Sequence, residues 1–411
     1  QTAQEVNSQS LILSAEQAIN AGDVDLALSL ALSASESVDD SAQVYRILSR
    51  ASEFSSSLVL TDVSRVAFNP TSNEFAMIPQ SFDRVQIIDT LTHDVKFELT
   101  EHKDSITTMK YSLDGRFLVT AGQDGAVIIW STSTGTPLHQ FNRHQGVVNA
   151  IALHPDGRYM VTAGIRPMLV LWDIHTGEEL ANYMAEQGEE LLPNDLLFSS
   201  DGTRLVGWSN PRGKMIMSQW AGDTLDLLTG DSGGRVYIGY DPSGSIAWTG
   251  GRTLPAYAND PNIGDLVLWD IAIGQQKVRL TEGFNWTILS GGNIASSTDS
   301  LLFTAFKHDS ALLGVQSSDG GQRVVLISTI DGTIQRTYQN NITAQITSAH
   351  FIDDDTVLSA TRDNRLVLWS IENGTLNRDV GVSTHTLQQI IVSHDSRFAL
   401  VQANGGEAYL W

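Results

Sequence analysis

The chain has 411 residues, of which 41% are hydrophobic and 18% charged, a composition typical of a globular protein with a sizeable core. Its 25 Lys and Arg stand against 47 Asp and Glu, so the formal net charge is -22. This charge predicts no binding to nucleic acid or anionic lipid, because both need cationic side chains. The absence of cysteine excludes disulfides, thiolate metal sites and cysteine nucleophiles.

The first nine residues are a polar tail that starts at Gln1 and is rich in Ser, Gln and Thr. A mature end left by signal peptidase has these features, so we expect an exported protein (extracellular, cell-surface or periplasmic), with a cytoplasmic one as the alternative. No apolar run approaches the ~18 residues of a membrane helix. The sequence therefore predicts no direct membrane insertion.

Residues 10–53 follow a helical period, with apolar residues three and four apart and a stop at Gly22. The stretch from Leu13 to Ala31 resembles one tetratricopeptide repeat, with small residues where two helices pack and a Gly22-Asp23 turn. One such unit cannot bury its apolar face alone, so we expect it to dock on the rest of the chain or on a partner. The predicted docking face consists of Leu11, Ala15, Leu28, Leu32 and Ile47.

After Phe54 the sequence changes to short Val-, Ile- and Leu-rich runs separated by turn pairs such as Asp-Gly, which predict β-strands and hairpins. A unit of about 42 residues recurs, with the interval expected of a repeat. Turns such as Ser112-Leu-Asp-Gly and His154-Pro-Asp-Gly are predicted between the first and second strands of a unit. The predicted third strands end at Trp130, Trp172, Trp269, Trp369 and Trp411, and weaker copies lie at Val85–Asp89, Lys214–Ser218 and Val324–Ile327.

This unit resembles the WD40 repeat, which has four strands per blade of a β-propeller. One copy carries all four residues of the family's structural hydrogen-bonded tetrad: His102, Thr120, Asp124 and Trp130. Other copies depart from it, with Arg166 in place of the Asp in one and Asn341 in place of the His in another. The general resemblance is to bacterial WD40-repeat proteins that carry a short helical segment at the N-terminus.

The resemblance predicts a mainly β fold, with a propeller over residues 57–411 after the helical segment. Eight third strands can be counted, so we expect eight blades, with seven as the alternative if one weak copy is irregular. The last unit lacks a fourth strand after Trp411. The run at 57–61 is expected to supply it, which would close the ring and remove an open sheet edge.

Two segments are predicted to be insertions between second and third strands, at Arg252–Gly264 and Ser310–Gln322. The resemblance places such loops on the top face of the propeller, and long loops on a rigid scaffold often carry function. Sequence drift in a tolerant loop is the alternative. In or beside these loops, the candidate interaction residues are Arg252, Tyr257, Asp260, His308 and Asp319.

Common catalytic and nucleotide-binding motifs are absent from the sequence. We expect no catalytic residue, no cofactor and no metal; Asp353-Asp354-Asp355 invites a calcium interpretation, but its place in a hairpin favours a solvated turn. The favoured function is a non-enzymatic scaffold that binds protein partners. Those partners include copies of the chain itself, which would self-assemble head to tail through the helices. Finding only monomers across a wide concentration range in light scattering would count against self-assembly.

Two alternatives stay open. One is a propeller enzyme that acts on a carbohydrate or small molecule at the central channel, which would require converging carboxylates or a bound metal there. The other is the sensory portion of a larger signalling protein. A glycan partner would fit exposed Trp side chains, four of which stand outside the repeat position, although burial between blades is the more ordinary fate of such residues.

Overall fold

The computed structural model describes the chain over 10–15, 17, 30, 58–166, 168–183, 193–199, 201–209, 214–221, 224–230, 237–240, 246–250, 266–270, 273, 275–280, 287–288, 300–307, 310–316, 322–338, 346–353, 355–374, 376–381 and 385–411. Within these residues the strands form eight sheets, seven with four strands and one with five. Almost all neighbouring strands run antiparallel. The chain divides into two compact units. The larger unit consists of Asp62–Asn340 and Ile391–Arg397, and the other consists of Gln1–Thr61, Asn341–Ile390 and Phe398–Trp411.

The larger unit contains sheets 1 to 6, and in each of the first five the strands follow one another in chain order. Sheet 1 consists of β2 (Val63–Phe68), β3 (Glu74–Pro79), β4 (Val85–Asp89) and β5 (Val95–Leu99). Sheet 2 consists of β6 (Ile106–Tyr111), β7 (Phe117–Gly122), β8 (Val127–Ser131) and β9 (Pro137–Phe141). Sheet 3 consists of β10 (Val148–Leu153), β11 (Tyr159–Gly164), β12 (Leu169–Asp173) and β13 (Glu179–Tyr183).

Sheets 4 to 6 complete the larger unit. Sheet 4 consists of β14 (Pro193–Phe198), β15 (Arg204–Ser209), β16 (Lys214–Ala221) and β17 (Thr224–Gly230). Sheet 5 consists of β18 (Tyr237–Tyr240), β19 (Ile246–Gly250), β20 (Leu266–Asp270) and β21 (Gln275–Leu280). Sheet 6 has a parallel edge strand, β22 (Thr287–Ile288), followed by β23 (Ser300–Lys307), β24 (Ser310–Gln316), β25 (Gln322–Ser328) and β26 (Ile334–Tyr338).

The other unit contains sheet 7, most of sheet 8 and a helical stretch at 10–15. Sheet 7 consists of β27 (Ile346–Phe351), β28 (Thr356–Thr361), β29 (Arg365–Ser370) and β30 (Leu376–Gly381). Sheet 8 has the order β1 (Leu58–Leu60), β33 (Glu407–Leu410), β32 (Ala399–Ala403) and β31 (Leu387–Val392). Strand β1 therefore pairs with a strand that lies about 350 residues later in the sequence. Leu58 pairs with Leu410 in this sheet.

Sheets 1 to 3 of the larger unit bury their middle strands on both faces. Five consecutive residues of β7 and four of β8 are buried, whereas β9 is mostly exposed. Side chains of sheets 1 and 2 share one core cluster, those of sheets 2 and 3 a second, and those of sheets 3 and 4 a third. Sheets 1 to 4 therefore pack face to face, which explains why their predicted third strands read as continuous apolar runs rather than as alternating patterns.

Each of the eight runs predicted as third strands lies in a strand, but one predicted insertion is wrong. Ser310–Gln316 forms β24, which pairs on one side with β23 and on the other with β25. Leu312 faces Ala305 in one ladder and Leu326 in the other. Because both ladders satisfy its backbone groups, this segment belongs to the interior of the sheet and not to a surface loop. Among the described residues, no helix is long and apolar enough to span a membrane.

Candidate interaction site

The first strand of several sheets contains a β-bulge directly after its first residue. In sheet 2 the pairing register shifts between Ile106 and Thr108, which leaves Thr107 outside the regular ladder. The Thr107 hydroxyl lies 3.0 Å from the carbonyl oxygen of Ala121 in its own sheet, and it also hydrogen-bonds the Val148 carbonyl of sheet 3. A bulge re-aims a side chain in this way. This bulge position therefore connects two neighbouring sheets.

Sheet 7 repeats the arrangement in the other unit. The register shifts between Ile346 and Ser348, and the hydroxyl of Thr347 lies 3.2 Å from the Ala360 carbonyl and 2.9 Å from the Leu387 carbonyl of sheet 8. The same chemistry thus recurs at the same place of two distant repeats. This position is not among the residues predicted from the sequence, although its signal is visible there as a polar residue directly after the first apolar residue of a strand, as at Ile106-Thr107 and Ile346-Thr347.

The tetrad side chains of sheet 2 form one hydrogen-bonded chain. His102 Nδ1 lies 3.1 Å from Asp124 Oδ2, and His102 Nε2 lies 2.8 Å from Thr120 Oγ1. The indole N–H of Trp130 donates to the same Thr120 oxygen at 2.9 Å. With the proton on Nδ1, His102 donates to the carboxylate and accepts from the Thr120 hydroxyl. Every buried polar group of the four tetrad side chains therefore has a partner.

The Asp124 carboxylate also holds two loops together. Its Oδ2 accepts the backbone N–H of Lys103 at 2.8 Å, and its Oδ1 accepts that of Ala126 at 3.0 Å. Next to it, the backbone N–H of Gln123 donates to the Ser105 carbonyl at 2.8 Å. The loop before β6 and the turn after β7 are therefore fixed to each other.

Acid is expected to weaken this tetrad. Burial lowers the pKa of His102 below its usual 6.5, and the Asp124 carboxylate opposes that shift. Below pH ~6.5 the unfolded chain takes up a proton that the folded chain does not, so the stability present above this pH decreases as the pH falls. We expect the His102→Asn variant to be less stable than the wild type at pH 8. We also expect it to lack the decrease in stability below pH ~6.5 that is due to His102. Urea unfolding of both proteins from pH 8 to pH 5 measures it, and parallel curves would contradict the prediction.

A pocket of about 360 Å³ lies beside the two loops that Asp124 holds. Its walls come from β2, the β3–β4 turn, the start of β6, the β7–β8 turn and the start of β10. It is therefore built from sheets 1, 2 and 3 of the larger unit. The lining residues are Arg65, Phe82, Ser105, Ile106, Thr107, Gln123 and Asn149.

Three polar side chains of this pocket are available to a ligand. Arg65 and Gln123 are exposed and Asn149 is half-buried. The side chains of Arg65, Gln123 and Asn149 form no hydrogen bond and no ion pair with any described residue. Asn149 occupies the bulge position of sheet 3, since the register shifts there between Val148 and Ala150. Its counterparts Thr107 and Thr347 use their hydroxyls to join sheets, whereas no described residue forms a hydrogen bond with the side-chain amide of Asn149.

The apolar wall of the pocket is held in an unusual conformation. Phe82 has a φ of 58°, a left-handed value that is rare for a bulky residue. The backbone compensates, because the Phe82 N–H donates to Pro79 at 3.0 Å and the Phe82 carbonyl accepts from Ile106 at 2.7 Å. The β3–β4 turn is therefore fixed to sheet 2 with the Phe82 ring lining the pocket. Such strained positions are frequent at ligand-binding sites.

The residues singled out from sequence fall in three groups. The four tetrad residues lie together, as described above. The loop candidates Arg252, Tyr257, Asp260, His308 and Asp319 lie outside the described residues, as do Leu28, Leu32 and Ile47 of the helical face. Of its two described members, Leu11 is half-buried and Ala15 has no exposed surface. A buried Ala15 is compatible with docking of the helices on the rest of the chain, so the docking face stays a prediction.

The two incomplete copies of the tetrad keep their Trp bonds. Trp172 donates to Thr162 at 2.9 Å, and Trp369 donates to Ser359 at 2.7 Å. The Asp353 carboxylate accepts the backbone N–H groups of Asp355 and Thr356, which is the geometry of a turn. Within the described part of the chain, no group of three His, Asp or Glu side chains is placed to hold a metal ion.

Comparisons with known proteins agree with the architecture. The family model of eukaryotic translation initiation factor eIF2A matches residues 29–177. The crystal structure of a computationally designed protein, Ika8, is similar with a TM-score of 0.60 and 19% identity, over 85% of this chain and 96% of the designed one. A search of curated proteins finds no match. Together with the repeated four-stranded antiparallel sheets, these similarities show a WD40-like β-propeller fold.

Proposed function

We propose that this protein is a non-enzymatic interaction scaffold that holds a segment of a partner protein in the pocket built from sheets 1, 2 and 3. The main support is the set of side chains Arg65, Gln123 and Asn149, which no described residue bonds, beside the apolar ring of Phe82. A few convergent polar groups next to an aromatic surface are typical of binding sites. The tetrad supports this role because it fixes the loops that form two of the walls.

Several finer features belong to the same proposal. The eight sheets would be eight blades of one ring, closed where β1 joins sheet 8, and the helical segment would be tetratricopeptide-like, in a protein of the bacterial type. The protein would be exported, and copies of it would assemble with one another. We propose no role in translation initiation, because a net charge of -22 opposes contact with RNA.

Selection from a random peptide library displayed on phage tests the scaffold function. Peptides enriched on the purified full chain are expected to bind at least ~10-fold more weakly to Gln123→Ala, since an amide that bonds the ligand is lost. Gln140→Ala is the matched control, because Gln140 is also exposed on sheet 2 but lies outside the pocket. Enrichment of no peptide, or equal binding by both variants, would contradict the proposal.

A further inference from the structure

We infer that the pocket recognises a carboxylate of its peptide ligand, which Arg65 binds while Asn149 and Gln123 bind the adjacent peptide group. This inference rests on the proposed function and adds the chemical class of the ligand. Arg65 lies on β2 immediately after the bulge of that strand, where the register shifts between Val63 and Arg65. A guanidinium cannot be neutralised at ordinary pH, so the pocket always contains a positive charge.

The charge of Arg65 has no counterpart among the described residues. Three other arginines of the same unit are paired: Arg84 lies 3.1 Å from Asp83, Arg143 lies 2.8 Å from Glu179, and Arg158 lies 2.8 Å from Asp173. Arg116 and Arg166 of the same unit are also exposed and form no ion pair with a described residue, so what distinguishes Arg65 is that its unpaired charge lines the pocket. An anionic ligand would supply the missing partner.

The number of cations in the pocket favours a carboxylate over a phosphate. Among the described residues, Arg65 is the single cationic side chain that lines the pocket. One guanidinium matches one carboxylate in charge and in bidentate geometry, whereas phosphate groups are usually bound by clusters of cations. The remaining polar groups of the lining are amides and hydroxyls, which carry no charge.

The amide groups make the pocket suited to a peptide rather than to a simple anion. A carboxamide offers both donors and an acceptor, and can therefore bond the N–H and the C=O of a peptide group. Asn149 supplies such a group at a position where Thr107 and Thr347 hold neighbouring sheets. The Phe82 ring offers an apolar surface for a neighbouring side chain of the ligand. The carboxylate is then that of an Asp or Glu side chain or of a C-terminus.

Fluorescence polarisation with four labelled peptide pools tests this inference on the full chain. In every pool the positions around a fixed central residue are randomised. Three pools have an amidated C-terminus and carry Glu, Gln or phosphoserine at the centre. The fourth pool carries Gln at the centre and has a free C-terminus. We expect the Glu pool or the free C-terminal pool to bind ~10- to 100-fold more tightly than the amidated Gln pool, as a charge-assisted hydrogen bond allows. The better of these two pools identifies the source of the carboxylate.

Arg65→Gln is expected to remove this preference and to leave the amidated Gln pool unaffected. Arg84→Gln is the matched control, because it lowers the net charge equally in sheet 1 but lies outside the pocket lining. Circular dichroism and thermal unfolding verify that both variants fold. Tighter binding of the phosphoserine pool would overturn the inference, as would a preference for carboxylate that survives Arg65→Gln. If all pools bind equally and Gln123→Ala abolishes this binding, the carboxylate inference is overturned but the scaffold function stands. If no pool binds, both the inference and the scaffold function are overturned.

Discussion

Replacing Thr120 with valine is expected to lower the free energy of unfolding by about 3 kcal/mol, although the two side chains have nearly the same shape. The Thr120 oxygen accepts the Trp130 N–H and contacts His102 Nε2, and all three groups are buried. Valine leaves the indole donor and the imidazole nitrogen without their partner, and each buried unpaired group costs about 1–3 kcal/mol. Urea unfolding of the wild type and the variant measures the difference.

Ser359→Ala is the comparison for this prediction. Ser359 accepts the Trp369 N–H at 2.7 Å in sheet 7, so its loss removes one bond instead of two. The expected cost is about 1–2 kcal/mol, less than that of Thr120→Val. If the alanine variant proves at least as destabilising as Thr120→Val, the hydrogen-bonded chain does not contribute in the way described.

Replacing Gly115 with alanine is expected to lower the free energy of unfolding by about 3 kcal/mol or more. Gly115 has a φ of 68°, and a Cβ atom there would overlap the side-chain oxygens of Asn69 and Thr71. Asn69 cannot move freely, because its amide donates to the Gly115 carbonyl at 2.9 Å and to the buried Glu74 at 2.8 Å. The substitution therefore breaks hydrogen bonds that join sheet 1 to sheet 2, in addition to straining the backbone.

Gly157→Ala separates the two effects. Gly157 occupies the same place in the turn His154-Pro-Asp-Gly and has a φ of 74°, but a Cβ atom there would meet nothing within 4 Å. Its expected cost is that of the left-handed backbone alone, about 1–2 kcal/mol. Thermal and urea unfolding of both variants compare them. Equal losses of stability would show that the contact with Asn69 is unimportant.

The sequence predicted the strands well because the repeat marks them twice. An Asp-Gly turn precedes the second strand and a Trp closes the third, as at Gly115 and Trp130, and both marks depend on local chemistry. The segment Ser310–Gln316 was misjudged because no such mark separates it from a loop. Its strand character comes from pairing with β23 and β25 on both sides, a tertiary effect that propensity does not reveal.

The pocket could not be predicted from the sequence, although its residues are ordinary. Arg65 looks like a solvent-facing residue of an alternating strand, and Asn149 looks like an isolated polar residue in an apolar one. Their proximity depends on the packing of sheets 1, 2 and 3 and on a bulge in each first strand. Bulges displace the chain by one residue, so a period-2 pattern assigns these side chains to the wrong neighbours.

The pairing of Leu58 with Leu410 has a consequence for how the chain matures. Contacts so distant in sequence raise the contact order and slow folding. During synthesis, β1 emerges long before β33, and its hydrogen-bonding edge stays unpaired until β33 has been made. An emerging chain of this kind is vulnerable to aggregation, and chaperones that shield strand edges would improve its yield.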